Sequence, residues 1–383
     1  MTATLVWGPV RVDLDSLLQN PVQLNALVAV PALLAMASIV AATLPRVVRI
    51  NIAVFVGLLV LGEGASWIFA PSRPTIAGGP VAMGAPTFFI PDASLGYALA
   101  PATVARHRRT VDDVPIYDVL YRTDDRGRRE TPTGAHEERT SFLLFFGDSN
   151  LFGEGLPQTE TIPYHAGSHA RGHRPYNYGV PGYGPAQVLA LARSGHIRRE
   201  VVERDGDAVF FLIPAHVERV IGSTKVSTGW GRHFPYYEEG DHGELVTRGD
   251  FLNRRPFTTL GYFFWTRSHL AAYFGVDLPL WYTAGDYRLI AKIFKEAGDL
   301  LSRQLQVRRF VVVLGQTYNA AQLRVIRALG DALAREGVFY LDYTALFDTR
   351  DSQYRLSELD YHNSAKANRI IAARLVADLG IAR

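Results

Sequence analysis

Apolar runs alternate with stretches of helical periodicity from residue 140 to the end of the chain. Four short runs have the length and apolar character of buried parallel strands, at residues 142–146, 208–213, 310–314 and 338–342. Four longer stretches predict helices, at residues 186–194, 285–304, 320–336 and 365–379. This alternation predicts an α/β fold with a parallel sheet flanked by helices.

The first part of the chain contains two long apolar stretches. Residues 21–45 carry no charged side chain, and residues 48–70 carry only Arg49 and Glu63. Each stretch is long enough for a helix to cross a hydrocarbon core of about 30 Å. We therefore predict an N-terminal membrane anchor over residues 1–75, a hairpin of two transmembrane helices at about 21–45 and 48–70.

The charges near these stretches predict an orientation. Arg46 and Arg49 lie at the junction of the two spans, so the positive-inside rule places the hairpin loop in the cytoplasm and the large C-terminal part on the extracytoplasmic side of an inner or plasma membrane. Glu63 falls in the last third of the second span. A carboxylate at membrane depth usually has a functional partner. The simpler interpretation is that Glu63 lies near the outer interface or is protonated.

The rest of the chain divides into three segments by composition. Residues 76–139 are rich in Pro, Gly and polar side chains, which predicts a linker with a few short strands. Residues 140–383 contain all the predicted strands and helices of the α/β domain. Within it, residues 221–283 interrupt the strand and helix rhythm and carry many aromatic side chains among charges. These aromatic rings can stack on sugars, line an acyl pocket or simply pack the insertion itself.

Composition excludes several kinds of partner and site. The formal net charge is only +3 and the basic residues are scattered, so we expect no nucleic-acid partner. The chain has no cysteine, which excludes disulfides and thiolate metal sites. His165, His169 and His173 have helical spacing but no carboxylate at the same pitch, so we expect no metal. No cofactor is implied.

A candidate nucleophile follows the first predicted strand. Gly147, Asp148 and Ser149 come directly after the apolar run, at the carboxyl end of the strand, where open α/β sheets place their chemistry. A serine acts as a nucleophile when an imidazole takes its proton and a carboxylate orients that imidazole. Asp360 and His362 supply both groups near the end of the chain. Asp148 is expected to hydrogen-bond loop amides instead.

A second candidate segment is the glycine-rich loop at residues 176–185. Glycines let backbone amides approach a ligand closely, so the amide of Gly182 can donate to a developing oxyanion together with the amide of Ser149. The alternative is an ordinary turn between a strand and a helix.

Taken together, these motifs resemble those of the SGNH hydrolases, also called the GDSL family of esterases and acyl-transferring enzymes. The resemblance covers residues 141–383 and rests on the Gly-Asp-Ser, Asn-x-Gly-x-x-Gly and Asp-x-His segments in this order. It implies a parallel sheet flanked by helices. It also implies that Ser149 is the nucleophile, His362 the general base, Asp360 the orienting carboxylate and Gly182 an oxyanion donor.

The chain departs from the family pattern in two places. Many members carry an Asn after the next core strand whose side chain completes the oxyanion hole, and this chain has none there. His216, Arg219 and Asn177 are the candidate substitutes or substrate contacts. The second departure is that a single residue separates Asp360 from His362, where the most familiar members have two. This spacing puts the role of Asp360 in doubt and leaves Glu358 as the fallback acid.

Three functions are compatible with these residues. The first is a membrane-anchored serine esterase that hydrolyses short acyl esters, with a carbohydrate ester as the preferred substrate. The second is an O-acyltransferase of a polysaccharide modification system, which passes the same acyl group to a sugar hydroxyl. The third is a non-catalytic scaffold for polysaccharide assembly, which the missing Asn favours and the complete Ser, His and Asp set opposes.

Overall fold

The structure is a computed structural model that describes residues 4–7, 10–13, 45–69, 76–83, 87–134 and 139–382. The chain divides into two compact units. The larger unit comprises Pro74–Ile221, His233–Gly249 and Tyr282–Arg383. The smaller unit comprises Met1–Arg73, Gly222–Arg232 and Asp250–Trp281.

A five-stranded parallel sheet forms the centre of the larger unit. Its strands lie side by side in the order His173–Asn177, Ser141–Phe146, Asp205–Leu212, Val307–Leu314 and Tyr340–Asp342. When the strands are numbered by their order along the chain, they lie side by side in the order 2-1-3-4-5. This is the order of a doubly wound fold, with its switch point between the first and third strands. The predicted parallel sheet flanked by helices is confirmed.

The first strand is buried on both faces, as its uninterrupted apolar sequence predicts. Leu143 and Phe145 point to one face, where they join the core beneath the helices Ile162–His169 and Ala365–Asp378. Alternate residues of the strand, beginning with Phe142, join the larger core on the opposite face. Because successive side chains of a strand point to opposite faces, one apolar run serves both cores.

Helices cover both faces of this sheet. The helices of the larger unit are Ser149–Phe152, Ile162–His169, Pro185–Ser194, His196–Glu200, His216–Ile221, Ala284–Leu305, Ala320–Arg335 and Ala365–Asp378. Side-chain caps define where the longest ones begin. Thr283 and Asp286 form a capping box, and Asn319 and Ser364 accept hydrogen bonds from backbone amides of the helices they precede. Short 3₁₀ turns occupy Gln158–Glu160 and Ser352–Tyr354.

The segment predicted as a linker contains a second sheet within the larger unit. It is antiparallel and consists of Ile76–Ala77, Pro80–Met83, Val104–Val111 and Val114–Arg122. Asp112 and Asp113 join its two long strands, both with positive φ, as a type I′ hairpin turn requires. Three further antiparallel pairs are Phe89–Asp92 with Gly96–Leu99, Pro235–Glu239 with Leu245–Asp250, and Arg355–Ser357 with Asp360–Asn363.

The smaller unit is mainly helical. Its helices are Arg46–Phe69, Thr224–Thr228, Phe251–Arg254, Pro256–Trp265 and His269–Tyr273, and an antiparallel pair joins Thr4–Trp7 to Val10–Asp13. The helix Arg46–Phe69 is the one helix of the described residues long and apolar enough to cross a membrane. The predicted first span at 21–45 lies outside the described residues except for Pro45, so the two-helix hairpin stays a prediction.

Two segments named in the sequence analysis are divided differently in the structure. The segment from Arg46 to Arg49, predicted as a link between spans, forms the first turn of the helix Arg46–Phe69. The insertion predicted at 221–283 is divided, because Gly222–Arg232 and Asp250–Trp281 belong to the unit of that helix whereas His233–Gly249 belongs to the sheet unit.

Candidate active site

The candidate nucleophile lies at the switch point of the central sheet. The strand Ser141–Phe146 ends there, between His173–Asn177 on one side and Asp205–Leu212 on the other. Loops diverge from such a point and leave a crevice outside the carboxyl ends of the strands. Ser149 begins the short helix Ser149–Phe152 in this crevice and is 8% exposed.

Three predicted residues form a continuous series of hydrogen bonds. The Nδ1 atom of His362 lies 2.5 Å from Oδ1 of Asp360, and its Nε2 atom lies 2.8 Å from Oγ of Ser149. The backbone amide of His362 also donates to the same Asp360 oxygen, at 3.0 Å. A carboxylate at Nδ1 keeps the proton on that nitrogen. In the neutral imidazole, Nε2 is therefore free to accept the proton of the Ser149 hydroxyl.

A strand explains why one intervening residue brings Asp360 and His362 together. Sequence reasoning required a turned backbone at the start of the last helix, but Asp360–Asn363 is a short strand paired with Arg355–Ser357. Residues two apart on a strand point to the same face. Asp360 is 4% exposed and contacts the imidazole directly, whereas Glu358 lies on the exposed surface.

The electrostatics of the three residues favour a basic imidazole. Burial lowers the pKa of His362. The hydrogen bond with Asp360 and the charges of Glu154 and Asp360 raise it by more, so its pKa lies above the ordinary value. Burial also raises the pKa of Asp360, and its hydrogen bonds with His362 together with the charge of Arg109 lower it by more. The carboxylate is therefore ionised at neutral pH.

Asp148 is the centre of a buried ionic cluster behind the candidate nucleophile Ser149. Its Oδ1 atom accepts from the amide of Asn150 at 3.0 Å, and its Oδ2 atom lies 2.9 Å from Nη1 of Arg219. Nε2 of His216 lies 3.5 Å from the same Oδ2. Burial raises the pKa of Asp148, but Arg219 and His216 lower it far more, so the group is a carboxylate.

The candidate substitutes for the missing Asn have partners within the protein. Arg219 Nη1 donates to Asp148 and, at 2.6 Å, to the carbonyl of Tyr183. Nδ1 of His216 accepts from the amide of Ile213 at 3.0 Å, which places the proton of the neutral ring on Nε2, toward Asp148. Both side chains therefore hold the loops around the nucleophile.

The glycine-rich loop is fixed beside Ser149. The side chain of Asn177 accepts from the amide of Gly179 at 2.9 Å and donates to the carbonyl of Leu151 at 3.3 Å, so it ties the loop to the nucleophile helix. A Cβ atom at Gly179 would lie 2.7 Å from the amide nitrogen of Phe152, so only glycine allows this approach. Gly182 has a φ of +88°, the left-handed conformation that favours glycine.

Sequence reasoning missed three residues that surround His362. The Oε2 atom of Glu154 lies 3.8 Å from Nε2 of His362. Its Oε1 atom accepts from Tyr117 Oη at 3.0 Å and from Arg109 Nη1 at 3.2 Å, and Nε of Arg109 lies 3.5 Å from Asp360. Arg109 and Tyr117 come from the second sheet. No local motif marks these residues, because Arg109 precedes Asp360 by most of the length of the chain.

A groove lined by aromatic and polar side chains opens beside the strand Asp360–Asn363. It has a volume of about 550 Å³ and is lined by Tyr318, Asn319, Gln322, Thr349, Arg350, Arg355 and Tyr361. Tyr361 stands between Asp360 and His362, and the alternation of the strand turns its side chain away from theirs. The hydroxyl of Tyr318 donates to the carbonyl of Tyr361 at 2.5 Å, and the Arg355 guanidinium lies over the Tyr361 ring.

The larger unit therefore places a Ser, His and Asp series at the carboxyl edge of a parallel α/β sheet, the constellation of serine hydrolases. Within the described ranges, no group of three or more His, Asp or Glu side chains is arranged to hold a metal ion.

Comparisons with known proteins give structural neighbours only. No family model matches the chain, and no curated protein matches it. A lipolytic G-D-S-L family protein from Veillonella parvula matches at 12% identity and a TM-score of 0.35, over 62% of this chain and 97% of its own. A catalytic mutant of Axe2, an acetylxylan esterase from Geobacillus stearothermophilus, matches at 12% identity and a TM-score of 0.36, over 65% of this chain and 99% of its own.

Proposed function

We propose that this protein is a membrane-anchored serine esterase of the SGNH type that hydrolyses short-chain acyl esters. The observation that carries the proposal is the series of hydrogen bonds from Asp360 through His362 to the Ser149 hydroxyl. A nucleophile, a base and an orienting acid within hydrogen-bond distance are the requirements of this chemistry.

The reaction would follow the acyl-enzyme route. Ser149 Oγ attacks the ester carbonyl while Nε2 of His362 takes its proton, and Asp360 stabilises the imidazolium that forms. His362 then gives this proton to the leaving alcohol as the C–O bond of the ester breaks. A water molecule, deprotonated by His362, attacks the acyl-enzyme and releases the carboxylic acid and free Ser149.

The oxyanion would be stabilised by the amides of Ser149 and Gly182. The side chains of His216, Arg219 and Asn177 already form hydrogen bonds within the protein, which leaves backbone amides as the favoured donors to the oxyanion. Hydrogen bonds from Tyr97 Oη to the carbonyl of Pro181, at 2.6 Å, and from Tyr183 Oη to the carbonyl of Tyr97 hold the loop of Gly182 in place. A preorganised donor of this kind accounts for about 10²–10³ in turnover.

A fluorophosphonate probe tests the proposal directly. We expect it to label the wild-type protein on Ser149, because the imidazole makes this hydroxyl nucleophilic. Ser149→Ala should lose the label, whereas Ser141→Ala, which replaces the serine at the start of the strand that precedes Ser149, should keep it. Equal labelling of Ser149→Ala would overturn the proposal, and absence of labelling in the wild type would favour the non-catalytic scaffold.

The pH dependence should report the raised pKa of His362. Only the neutral imidazole accepts a proton, so kcat/KM should rise with pH and the acid limb should lie above the ordinary histidine value of about 6.5. Glu154→Gln removes a negative charge beside Nε2 and should move this limb to lower pH. Glu358→Gln changes a nearby exposed carboxylate and should leave the limb in place. An unmoved limb in Glu154→Gln would refute the assignment.

We further propose that the groove beside Tyr361 binds a carbohydrate that carries the acyl group. Aromatic rings, amides and guanidinium groups are the side chains that stack on sugars and hydrogen-bond their hydroxyls. Tyr361→Ala should raise KM for an acetylated oligosaccharide about three- to tenfold, since one stacked aromatic contact contributes ~0.5–1.5 kcal/mol. Its kcat/KM for p-nitrophenyl acetate should stay unchanged, and Tyr361→Phe should restore the wild-type KM. Equal losses on both substrates would mean a disturbed catalytic strand and no saccharide contact.

An O-acyltransferase is the second candidate, because the same groove lies beside the acyl-enzyme and could hold an acceptor sugar. Product analysis with an acyl donor and an oligosaccharide distinguishes the two: free acid in excess supports the esterase, and acylated sugar in excess supports the transferase.

The proposed anchor is the helix Arg46–Phe69. Its 24 residues span about 36 Å at the helical rise, more than the roughly 30 Å of a hydrocarbon core. Most of its residues are exposed in the fold although most are apolar, which suits contact with lipid. Arg46 and Arg49 at its first turn favour a cytoplasmic N-terminal end and an extracytoplasmic catalytic unit.

A further inference from the structure

Glu63 has partners in a segment about two hundred residues further along the chain. It is the one acidic residue of the helix Arg46–Phe69. Its carboxylate accepts from Ser268 Oγ at 2.8 Å, from the amide of Leu270 at 3.1 Å and from the amide of His269. A carboxylate on an apolar helix is costly without such partners. The helix therefore holds the segment Asp250–Trp281 at the level of Glu63.

The position of Glu63 gives the depth of this contact. It lies six residues before the end of the helix, about 9 Å from that end at the helical rise. Interfacial elements bury their apolar faces about 5–10 Å into the boundary between headgroups and acyl chains. Leu270 also packs beside Gly62, where an added Cβ would lie 3.5 Å from its side chain. With Arg46–Phe69 as the proposed span, the start of the helix His269–Tyr273 would lie at interfacial depth.

The segment Asp250–Trp281 exposes large apolar side chains that a water-facing surface would not favour. Phe257, Phe274 and Trp281 are 77%, 68% and 71% exposed, and Leu280 is 62% exposed. The helix Pro256–Trp265 contains no charged residue, and five of its ten residues are aromatic. Exposed apolar side chains in this number indicate an interaction surface.

Basic residues flank this aromatic helix. Arg254 and Arg255 precede it, and Arg267 follows it, with its guanidinium over the ring of Phe263. Aromatic rings with flanking arginines are typical of segments that lie among lipid headgroups, where the rings enter the acyl boundary and the cations meet phosphates. The contact of this segment with Glu63, near the end of the proposed membrane span, favours lipid as the partner.

We propose that the segment Asp250–Trp281 is a lipid-binding element that lies in the membrane interface, held there by Glu63. The inference rests on the proposed membrane span of Arg46–Phe69. It replaces the sequence-based interpretation of these aromatic residues as sugar or acyl contacts. It assigns them the lipid bilayer as their partner.

The absence of cysteine from the chain permits a clean labelling experiment. Single cysteines are introduced as Phe257→Cys, Phe274→Cys, Leu59→Cys and Val202→Cys, and each is labelled with an NBD fluorophore. Leu59 reports the helix, and Val202, which is 77% exposed, is the control in the sheet unit. The full-length variants are reconstituted in phosphatidylcholine and phosphatidylglycerol vesicles that contain doxyl-labelled lipids.

We expect the probes at positions 257 and 274 to lose as much fluorescence as the probe at position 59, and the probe at 202 to lose none. Quenching at 59 without quenching at 257 and 274 would overturn the lipid-binding inference while the anchor stands. Absence of quenching at 59 would overturn the anchor, and the inference with it. Neither result depends on esterase activity.

Discussion

His362→Ala should lower kcat/KM for p-nitrophenyl acetate by about 10⁴-fold or more. The imidazole is the one base within hydrogen-bond distance of the Ser149 hydroxyl in the described residues, at 2.8 Å. Loss of a triad base in serine hydrolases leaves only the contributions of the oxyanion hole and of substrate binding. Steady-state kinetics of the purified variant against wild type measure the effect, and circular dichroism checks that the variant is folded.

Two further variants make this prediction specific. The double variant Ser149→Ala/His362→Ala should be no slower than either single variant, because residues that act as one unit are not additive. His169→Ala replaces an exposed histidine at the end of the helix Ile162–His169 and should retain wild-type kcat/KM. A loss below tenfold in His362→Ala, or additive losses in the double variant, would contradict a Ser149–His362 pair.

Local patterns predicted the parts of this site that local structure determines. The apolar run at 142–146 is continuous because the strand is buried on both faces, so both the strand and the serine after it could be recognised. The strand His173–Asn177 was missed because its sequence, His-Arg-Pro-Tyr-Asn, has the composition of a loop. It lies at the edge of the sheet, where a proline is tolerated because an amide facing outward needs no partner strand.

Long-range contacts account for what the sequence did not predict. Arg109 contacts Asp360, and Glu63 contacts Ser268. Each pair is far apart in the sequence, and no local pattern of apolar and polar residues predicts such a contact. The single residue between Asp360 and His362 looked too short a spacing for their side chains to meet, because the sequence analysis placed the segment at the start of a helix. Once it is a strand, a separation of two residues is the one that aligns their side chains.

Arg219→Met should destabilise the protein by about 3–5 kcal/mol, because it leaves a buried carboxylate without its cation. Asp148 is fully buried, and Arg219 provides its closest charged contact, at 2.9 Å. Methionine retains much of the apolar length of arginine, so the loss is mainly electrostatic. Urea unfolding of the detergent-solubilised chain, followed by tryptophan fluorescence, measures the change in the free energy of unfolding.

A surface pair provides the matched control for this substitution. Arg350 contacts Asp348 at 2.9 Å, the same distance, but both side chains are largely exposed. Arg350→Met should leave the free energy of unfolding within experimental error, because exposed ion pairs contribute little. The double variant Asp148→Asn/Arg219→Met should recover part of the lost stability, since it removes the uncompensated charge.

The pH dependence of the Arg219→Met deficit follows from the pKa of Asp148. In the wild type this pKa is lowered despite burial, so the stability from the pair is present above the unfolded carboxyl range of about 4 and is lost only as pH falls through the lowered value. Without Arg219, burial should raise the pKa of Asp148, and protonation then relieves the buried charge. The deficit of the variant should therefore be larger near about pH 8 than near about pH 5. A deficit that stays constant over this range would show that lost packing, and not the charge of Asp148, causes the destabilisation.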